Sequence, residues 1–190
     1  KDDLVFSQMV GDVMGRDGGV TYLFLGRELA GVASDYTLVE TADWFYGGSP
    51  YDYNGWSLDI ADINGDQVPD ILTASIYDDF PSLSNTGAVY AFFGKDGELP
   101  AEEADHVFIG VVPDSRIGEA TAAKADEDGD GLLDIAVYAN RSERFALHVG
   151  SLEVLRSASL PEGESAQTYP LNTDVAVAAQ RFGQGMDYVG

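Results

Sequence analysis

The sequence predicts an all-β protein built from repeated units of about four short strands. One observation is an acidic motif that occurs twice, at residues 62 and 126, an offset of 126 − 62 = 64 residues. A second is a series of short segments rich in β-branched and aromatic residues, separated by Gly, Pro, Asp and Asn. A third is weak helical spacing, because the richest stretch of helix formers, 97–106, is interrupted by Pro100.

The acidic motif places oxygen-bearing side chains at relative positions 1, 3, 5 and 9. In the first copy, "DINGDQVPD", these are Asp62, Asn64, Asp66 and Asp70; in the second, "DEDGDGLLD", they are Asp126, Asp128, Asp130 and Asp134. The residue at position 7, Val68 or Leu132, adds a backbone carbonyl. Calcium takes about 6–8 oxygen ligands of these kinds. Each motif therefore predicts a calcium site, and the alternative is a solvated Asp-rich turn.

A helix–loop–helix calcium site is the competing design for such a motif. That design needs an acidic residue at position 12 and a helix entering the loop. Position 12 is Thr73 in the first copy and Val137 in the second, and both lie in β-prone runs. The motif is therefore expected to lie at the tip of a β-hairpin.

Other segments recur with the acidic motif. The strand-like stretches "GGVTYLFLG" and "GAVYAFFG" correspond, which gives Asp3 the position of Asp70. A Gly-led segment precedes each acidic loop, at 54–55 and 117–118, and a similar one occurs at 182–183. These matches divide the chain into repeats 1–54, 55–117 and 118–182, with 183–190 starting a further repeat. In the middle repeat, strands are expected at 56–60, 71–76, 88–93 and 106–111, as in a propeller blade.

Together the loop, its flanking strands and the period resemble the FG-GAP repeat of integrin α-subunit β-propellers and their bacterial relatives. The resemblance implies about three four-stranded blades, with more chain or another subunit completing the propeller. It also implies that calcium braces each blade and that ligands bind at the opposite face. One departure is Gln67, which stands where Gly131 stands in the second loop. If this position has positive φ, the first site is expected to be the weaker.

Composition excludes several function classes. The formal net charge of −23 disfavours nucleic acid and anionic membrane partners, since both are themselves negatively charged. No apolar run approaches the roughly 20 residues of a membrane-spanning helix. There are no cysteines, so disulfides and thiolate metal sites are excluded. A secreted, extracellular or cell-surface location is expected from the family resemblance.

Enzymatic activity is not expected. No nucleophile elbow, phosphate-binding loop or zinc-protease motif occurs, and His106 and His148 each lie alone in a predicted strand. The expected function is a calcium-stabilised module for extracellular adhesion or protein interaction. The alternatives are a non-catalytic propeller module of a secreted enzyme and a structural subunit of an extracellular assembly.

Two further features concern ligands and modification. The segments 45–56 and 75–85 are rich in aromatic residues, which either bind a protein or carbohydrate ligand or fill space between blades. Asn140 begins an Asn-Arg-Ser glycosylation triplet in a predicted loop.

Overall fold

A computed structural model describes residues 2–26, 38–80, 82–126, 129–142, 148–155 and 167–171. Within these residues the chain forms eleven strands in three sheets and one four-residue helix. The predicted all-β class, with antiparallel sheets of the propeller-blade kind, is confirmed.

Strands that are consecutive in the chain pair antiparallel within each sheet. The first sheet contains β1 (Leu4–Gln8), β2 (Val20–Phe24) and β3 (Trp44–Gly47), with helix α1 (Leu38–Thr41) before β3. The second contains β4 (Asn54–Ala61), β5 (Asp70–Ser75), β6 (Ala88–Phe92) and β7 (His106–Gly110). The third contains β8 (Ile117–Ala125), β9 (Asp134–Ser142) and β10 (His148–Leu155).

The four strands expected in the middle repeat are β4 to β7, and their ends agree with the prediction within two residues. Two features of the structure differ from the prediction. A further strand, β11 (Gln167–Leu171), pairs parallel to β7, an arrangement that the sequence pattern does not contain. The triplet beginning at Asn140 lies in β9 instead of a loop, because that segment pairs with β10. That loop prediction was wrong.

Two apolar layers join the sheets. Between the first and second sheets, Leu23 and Trp44 pack with Ile71 and Phe92, and the Trp44 and Phe92 rings meet edge to face with centroids 4.9 Å apart. Between the second and third sheets, the layer contains Leu72, Val89, Phe108, Ile117, Ile135 and Val137. Truncating a fully buried ring such as Phe92 to alanine typically costs about 3–5 kcal/mol.

Glycines set the spacing between neighbouring sheets. Gly55 and Gly118 occupy equivalent positions in β4 and β8, with φ of 81° and 93°. A Cβ on Gly55 would lie 2.3 Å from the Cβ of Ser7, and one on Gly118 would lie 2.6 Å from the Cβ of Ala74. Each strand that precedes an acidic loop therefore approaches the previous sheet at a distance that only glycine allows.

We predict that Gly118→Ala lowers the free energy of unfolding by about 2–4 kcal/mol, the sum of left-handed backbone strain and overpacking. Gly97→Ala is the matched control, since Gly97 has φ 75° but no atom within 4 Å of an added Cβ. Gly97→Ala should lower the free energy of unfolding by only about 1 kcal/mol, from backbone strain alone. Chemical denaturation measures both values, and equal losses would contradict the packing explanation.

Candidate functional site

The first acidic loop connects β4 to β5 and is held together by its own carboxylates. Oδ1 of Asp62 accepts the N–H of Gly65 at 2.7 Å, and its Oδ2 accepts the N–H of Gln67 at 2.8 Å. Oδ1 of Asp66 accepts the N–H of Val68 at 2.8 Å, and Oδ1 of Asn64 accepts the N–H of Asp66 at 3.0 Å. The loop thus curls around the side chains at positions 1, 3 and 5.

The second loop, between β8 and β9, repeats these bonds. Asp126 accepts the N–H groups of Gly129 at 2.7 Å and Gly131 at 2.8 Å, and Asp130 accepts that of Leu132 at 2.8 Å. The two loops are neighbours, because a Cβ on Gly65 would lie 2.5 Å from Cδ2 of Leu132. Asp128, predicted at position 3, lies outside the described residues.

Gln67 has φ 70°, and the equivalent Gly131 has φ 96°. Position 6 therefore requires positive φ, as expected, and a non-glycine residue is strained there by roughly 1–2 kcal/mol. The first loop carries this cost and the second does not.

Asp70, at position 9, begins β5 and is fully buried. Its Oδ2 accepts the N–H of Ile63 and its Oδ1 accepts the N–H of Gly94, both at 2.8 Å. Burial, with a smaller effect from the charges of Asp66 and Asp62, raises the pKa of Asp70 to about 7 against the effect of these two bonds. The equivalent Asp134 is also buried. An acidic residue buried beside other acids is the setting in which a cation relieves repulsion.

The donor set suits a hard cation, but the described residues contain no group of three or more His, Cys, Asp or Glu side chains already gathered as a metal site. The first loop offers an amide at position 3, and its carboxylate oxygens are turned toward loop N–H groups. A carboxylate oxygen that accepts one N–H retains acceptor capacity for a metal. The residues present therefore fit calcium chemically.

Three further acids, not singled out by the sequence motif, use the same bonding. Oδ1 of Asp3 accepts the N–H of Gly26 at 2.6 Å, as Asp70 does with Gly94. Asp43, just before β3, accepts the N–H of Leu25 at 2.9 Å, and Asp105, just before β7, accepts that of Phe93 at 2.7 Å. Asp3 was matched to Asp70 in sequence. The pair Asp43 and Asp105 was missed, although both end a Glu-x-Ala-Asp segment.

The aromatic segments lie at the opposite end of the strands, in the β3–β4 and β5–β6 connections. Some of their aromatic rings pack between the sheets, and others remain exposed to solvent. Tyr46 packs against Tyr90 between the first two sheets, with ring centroids 5.1 Å apart. Tyr51 and Trp56 are exposed, at 52% and 39%. A pocket of about 340 Å³ opens here, lined by Pro50, Tyr51, Asp52, Tyr53, Tyr77, Asp79 and Asn85.

Behind this pocket, two carboxylates and two tyrosines form a half-buried cluster. The hydroxyl of Tyr90 donates to Oδ2 of Asp78, and Oδ2 of Asp52 accepts the N–H of Ser49 at 2.8 Å. Burial, with a smaller effect from the charge of Asp78, raises the pKa of Asp52 to about 6. Burial also raises the pKa of Asp78, and it raises the pKa of Tyr46 to about 12.

Comparison with known proteins places this chain beside two kinds of protein. It is 33% identical over 101 residues to bovine phosphatidylinositol-glycan-specific phospholipase D and 33% identical over 96 residues to the human protein of that name. It is 32% identical over 115 residues to human integrin alpha-7. These alignments cover 50%, 47% and 58% of this chain but only 12%, 11% and 10% of the relatives.

No family model matches the chain. The chain spans about a tenth of the length of the relatives named above. The partial likeness to integrin alpha-7 agrees loosely with the FG-GAP resemblance of the sequence. Within the described residues, none of the helical structure is long or apolar enough to cross a membrane.

We predict that Asp52 makes stability depend on pH. Its folded pKa of about 6 lies above the ordinary value of 3.8, so the folded chain retains a proton that the unfolded chain releases between these values. The free energy of unfolding should fall as pH rises from 4 to 6. The contribution of Asp52 is about 1 kcal/mol, reduced from the full linkage value because the side chain is only half-buried.

Denaturation at several pH values without metal ions checks this prediction. Asp52→Asn should flatten the slope between pH 4 and 6, whereas the same change at exposed Asp96 should not. An unchanged slope in Asp52→Asn would show that the carboxylate is better hydrated than the structure indicates.

Proposed function

We propose that this chain is a calcium-stabilised propeller module of the FG-GAP type that acts in extracellular adhesion or protein interaction. The observation that carries the proposal is the matched bonding of the two acidic loops. In each, position 1 accepts the N–H groups of positions 4 and 6, and position 5 accepts that of position 7. Two loops that fold alike around alternating acids favour a shared ligand over two unrelated turns.

Calcium would be held by side chains at positions 1, 3, 5 and 9 and by the carbonyl at position 7. These are Asp62, Asn64, Asp66, Val68 and Asp70 in the first loop, and Asp126, Asp128, Asp130, Leu132 and Asp134 in the second. The ion would supply positive charge and would take no part in a chemical reaction. One ion in each loop would convert the repulsion among its acids into attraction. It would also tie that hairpin tip to the buried residue at position 9.

The adhesion role is supported by the partial likeness to integrin alpha-7. The likeness to phosphatidylinositol-glycan-specific phospholipase D supports the second role, a non-catalytic module that accompanies an enzyme. Both roles use the propeller as a scaffold. In both, the residues described here bind and position without catalysing a reaction.

The ligand surface we assign is the end opposite the acidic loops. The exposed rings of Tyr51 and Trp56 and the pocket beside them provide apolar contact area next to the carboxylates of Asp52 and Asp79. Aromatic rings beside carboxylates suit a protein or a carbohydrate partner. The β4 and β5 strands connect this end to the acidic loop, so a braced loop holds the surface in place.

We predict that calcium raises the melting temperature of the chain and that magnesium does so much less, since calcium accepts flexible coordination by many oxygens. At 100 times its dissociation constant, one bound ion adds roughly 2.7 kcal/mol to the free energy of unfolding. Calorimetric titration of the parent chain should give two sites. The second should be the tighter, because Gly131 adopts positive φ without the strain carried by Gln67.

Asp66→Ala and Asp130→Ala should each remove one site and leave the other. Asp96→Ala, outside both loops, removes one negative charge equally and should leave both sites in place. Equal melting temperatures in calcium and in chelator would reject the calcium proposal and leave the loops as solvated turns.

A separate prediction concerns the ligand surface. On arrays of extracellular-matrix proteins and glycans, the parent chain in calcium should bind at least one class of probe, and Tyr51→Ala should weaken that binding about tenfold or more. Leu99→Ala is the matched control, since Leu99 is 44% exposed but lies at the acidic-loop end. An equal loss of binding in both variants would show that the binding surface lies away from the pocket.

A further inference from the structure

Hydrogen-bond acceptors dominate the polar lining of the pocket beside Tyr51. Most of the backbone N–H groups that line it already donate to other atoms of the protein. These N–H groups belong to Tyr51, Asp52, Tyr53, Tyr77 and Asn85. Pro50 has no N–H group, and the side-chain amide of Asn85 donates to Oδ1 of Asp114 at 2.9 Å. A ligand therefore meets few donors among the described residues of this pocket.

Two carboxylates supply most of the acceptor capacity. Oδ2 of Asp52 accepts the N–H of Ser49 at 2.8 Å, and Oδ1 of Asp79 accepts the N–H of Asn85 at 2.7 Å. An ionised carboxylate has about four acceptor positions, so each of the two retains capacity for donors from a ligand. The pocket therefore suits a ligand rich in O–H or N–H groups, and it repels an anion.

Arginines cover the aromatic rings that a cationic ligand would use. The guanidinium carbon of Arg116 lies 4.9 Å from the centre of the Tyr77 ring, and that of Arg16 lies 5.9 Å from the centre of the Tyr51 ring. Both distances fall within the range of about 6 Å at which a cation binds an aromatic ring. A ligand cation at either ring would meet a like charge, whereas an uncharged ligand would not. These contacts favour hydroxyl donors over ammonium or guanidinium donors.

The backbone holds the rings of this pocket in place. Tyr51 and Tyr53 have φ of 72° and 57°, a left-handed conformation that bulky residues rarely adopt. Their N–H groups donate to the carbonyls of Arg16 at 2.9 Å and Asp17 at 3.2 Å, and the Tyr53 ring packs against that of Tyr77 with centroids 5.3 Å apart. Strained backbone of this kind persists where its surroundings fix it, and it gathers at ligand sites. Rings that are already fixed lose little conformational entropy when a ligand binds.

We propose that this pocket binds a neutral sugar ring of a glycan, whose hydroxyl groups donate to Asp52 and Asp79 while the face of the sugar ring packs on tyrosine. The inference rests on the ligand surface of the proposed function and names its occupant. A sugar has O–H donors around its edge and C–H groups on its faces, and these C–H groups suit the negative face of an aromatic ring. The volume of about 340 Å³ lies at the small end of ligand pockets, which suits about one or two sugar rings.

Saturation-transfer NMR of the parent chain in calcium tests the proposal. The probes are the methyl glycosides of glucose, galactose, mannose and N-acetylglucosamine, and we expect saturation of at least one of them. The methyl glycoside of the corresponding uronic acid should bind about tenfold or more weakly, because it brings a carboxylate to a pocket lined by carboxylates. Arginine amide is the cationic probe and should bind more weakly than the neutral glycoside.

Substitutions place the binding in the pocket. Tyr51→Ala should weaken binding of the glycoside about tenfold or more, whereas Tyr51→Phe keeps the ring and should retain most of the affinity. Leu99→Ala is the control, since it removes a side chain that is 44% exposed at the other end of the sheets. Asp79→Asn should weaken binding about threefold or more, because it replaces charge-assisted hydrogen bonds by neutral ones. Asp96→Asn removes an exposed charge outside the pocket and should have no effect.

Several results would overturn the sugar assignment. If no neutral glycoside is saturated while calcium still raises the melting temperature, the assignment is wrong and the calcium-stabilised module stands. If arginine amide binds more tightly than every glycoside and Asp79→Asn removes that binding, the pocket takes a basic peptide side chain instead. If Tyr51→Ala and Leu99→Ala weaken glycoside binding equally, the sugar binds elsewhere. A glycoside that depends on Tyr51 and binds equally in calcium and in chelator would support the assignment even where the calcium proposal fails.

Discussion

Each strand that precedes an acidic loop bonds to the preceding sheet through its backbone, and the rest of the arrangement depends on that contact. The N–H of Asn54 donates to the carbonyl of Gly18 at 2.7 Å, and the N–H of Ile117 donates to the carbonyl of Thr86 at 2.9 Å. These bonds form because glycines at 19 and 87 bring the two backbones together: an added Cβ would lie 2.2 and 2.4 Å from atoms of Asn54 and Ile117. The contact fixes where each sheet begins, and therefore where each acidic loop and each opposite connection emerges.

The acidity of the chain has a structural use that does not depend on any ligand. Carboxylates at positions 3, 43, 62, 70, 105 and 126 accept backbone N–H groups of loops that have no strand partner. An ionised carboxylate is a stronger acceptor than a neutral amide, so these bonds hold connections that have little apolar content. The arrangement also gathers negative charge at one end of the sheets. A divalent cation there would act on residues already positioned by the backbone.

The sequence was sufficient for the strands and the acidic loops because both depend on local rules. β-Branched and other apolar residues, bounded by Gly, Pro and Asp, indicate β5 and β6, and positive φ at position 6 follows from the glycine of the second loop. The missed features depend on contacts that a single segment does not show. Asp43 and Asp105 act on residues 18 and 12 positions away, and β11 pairs with a strand some 60 residues earlier. Likewise, the triplet at Asn140 looks like a loop locally but gains a partner in β10.

The two junctions between sheets have the same backbone arrangement but different side chains. This difference affects how well each sheet is matched to its correct neighbour. At the first junction, Thr21, Asn54 and Thr73 form a buried cluster, with Oγ1 of Thr21 3.0 Å from Oδ1 of Asn54 and 2.6 Å from Oγ1 of Thr73. Val89, Ile117 and Val137 occupy the equivalent positions at the second junction and join its apolar layer. A fully bonded polar cluster in a buried layer contributes less hydrophobic stabilisation than the apolar set, but it penalises any misaligned pairing because a lost bond leaves a buried polar group unsatisfied. Since repeats with the same backbone can pair in the wrong order, one polar junction beside one apolar junction gives each sheet a distinguishable neighbour.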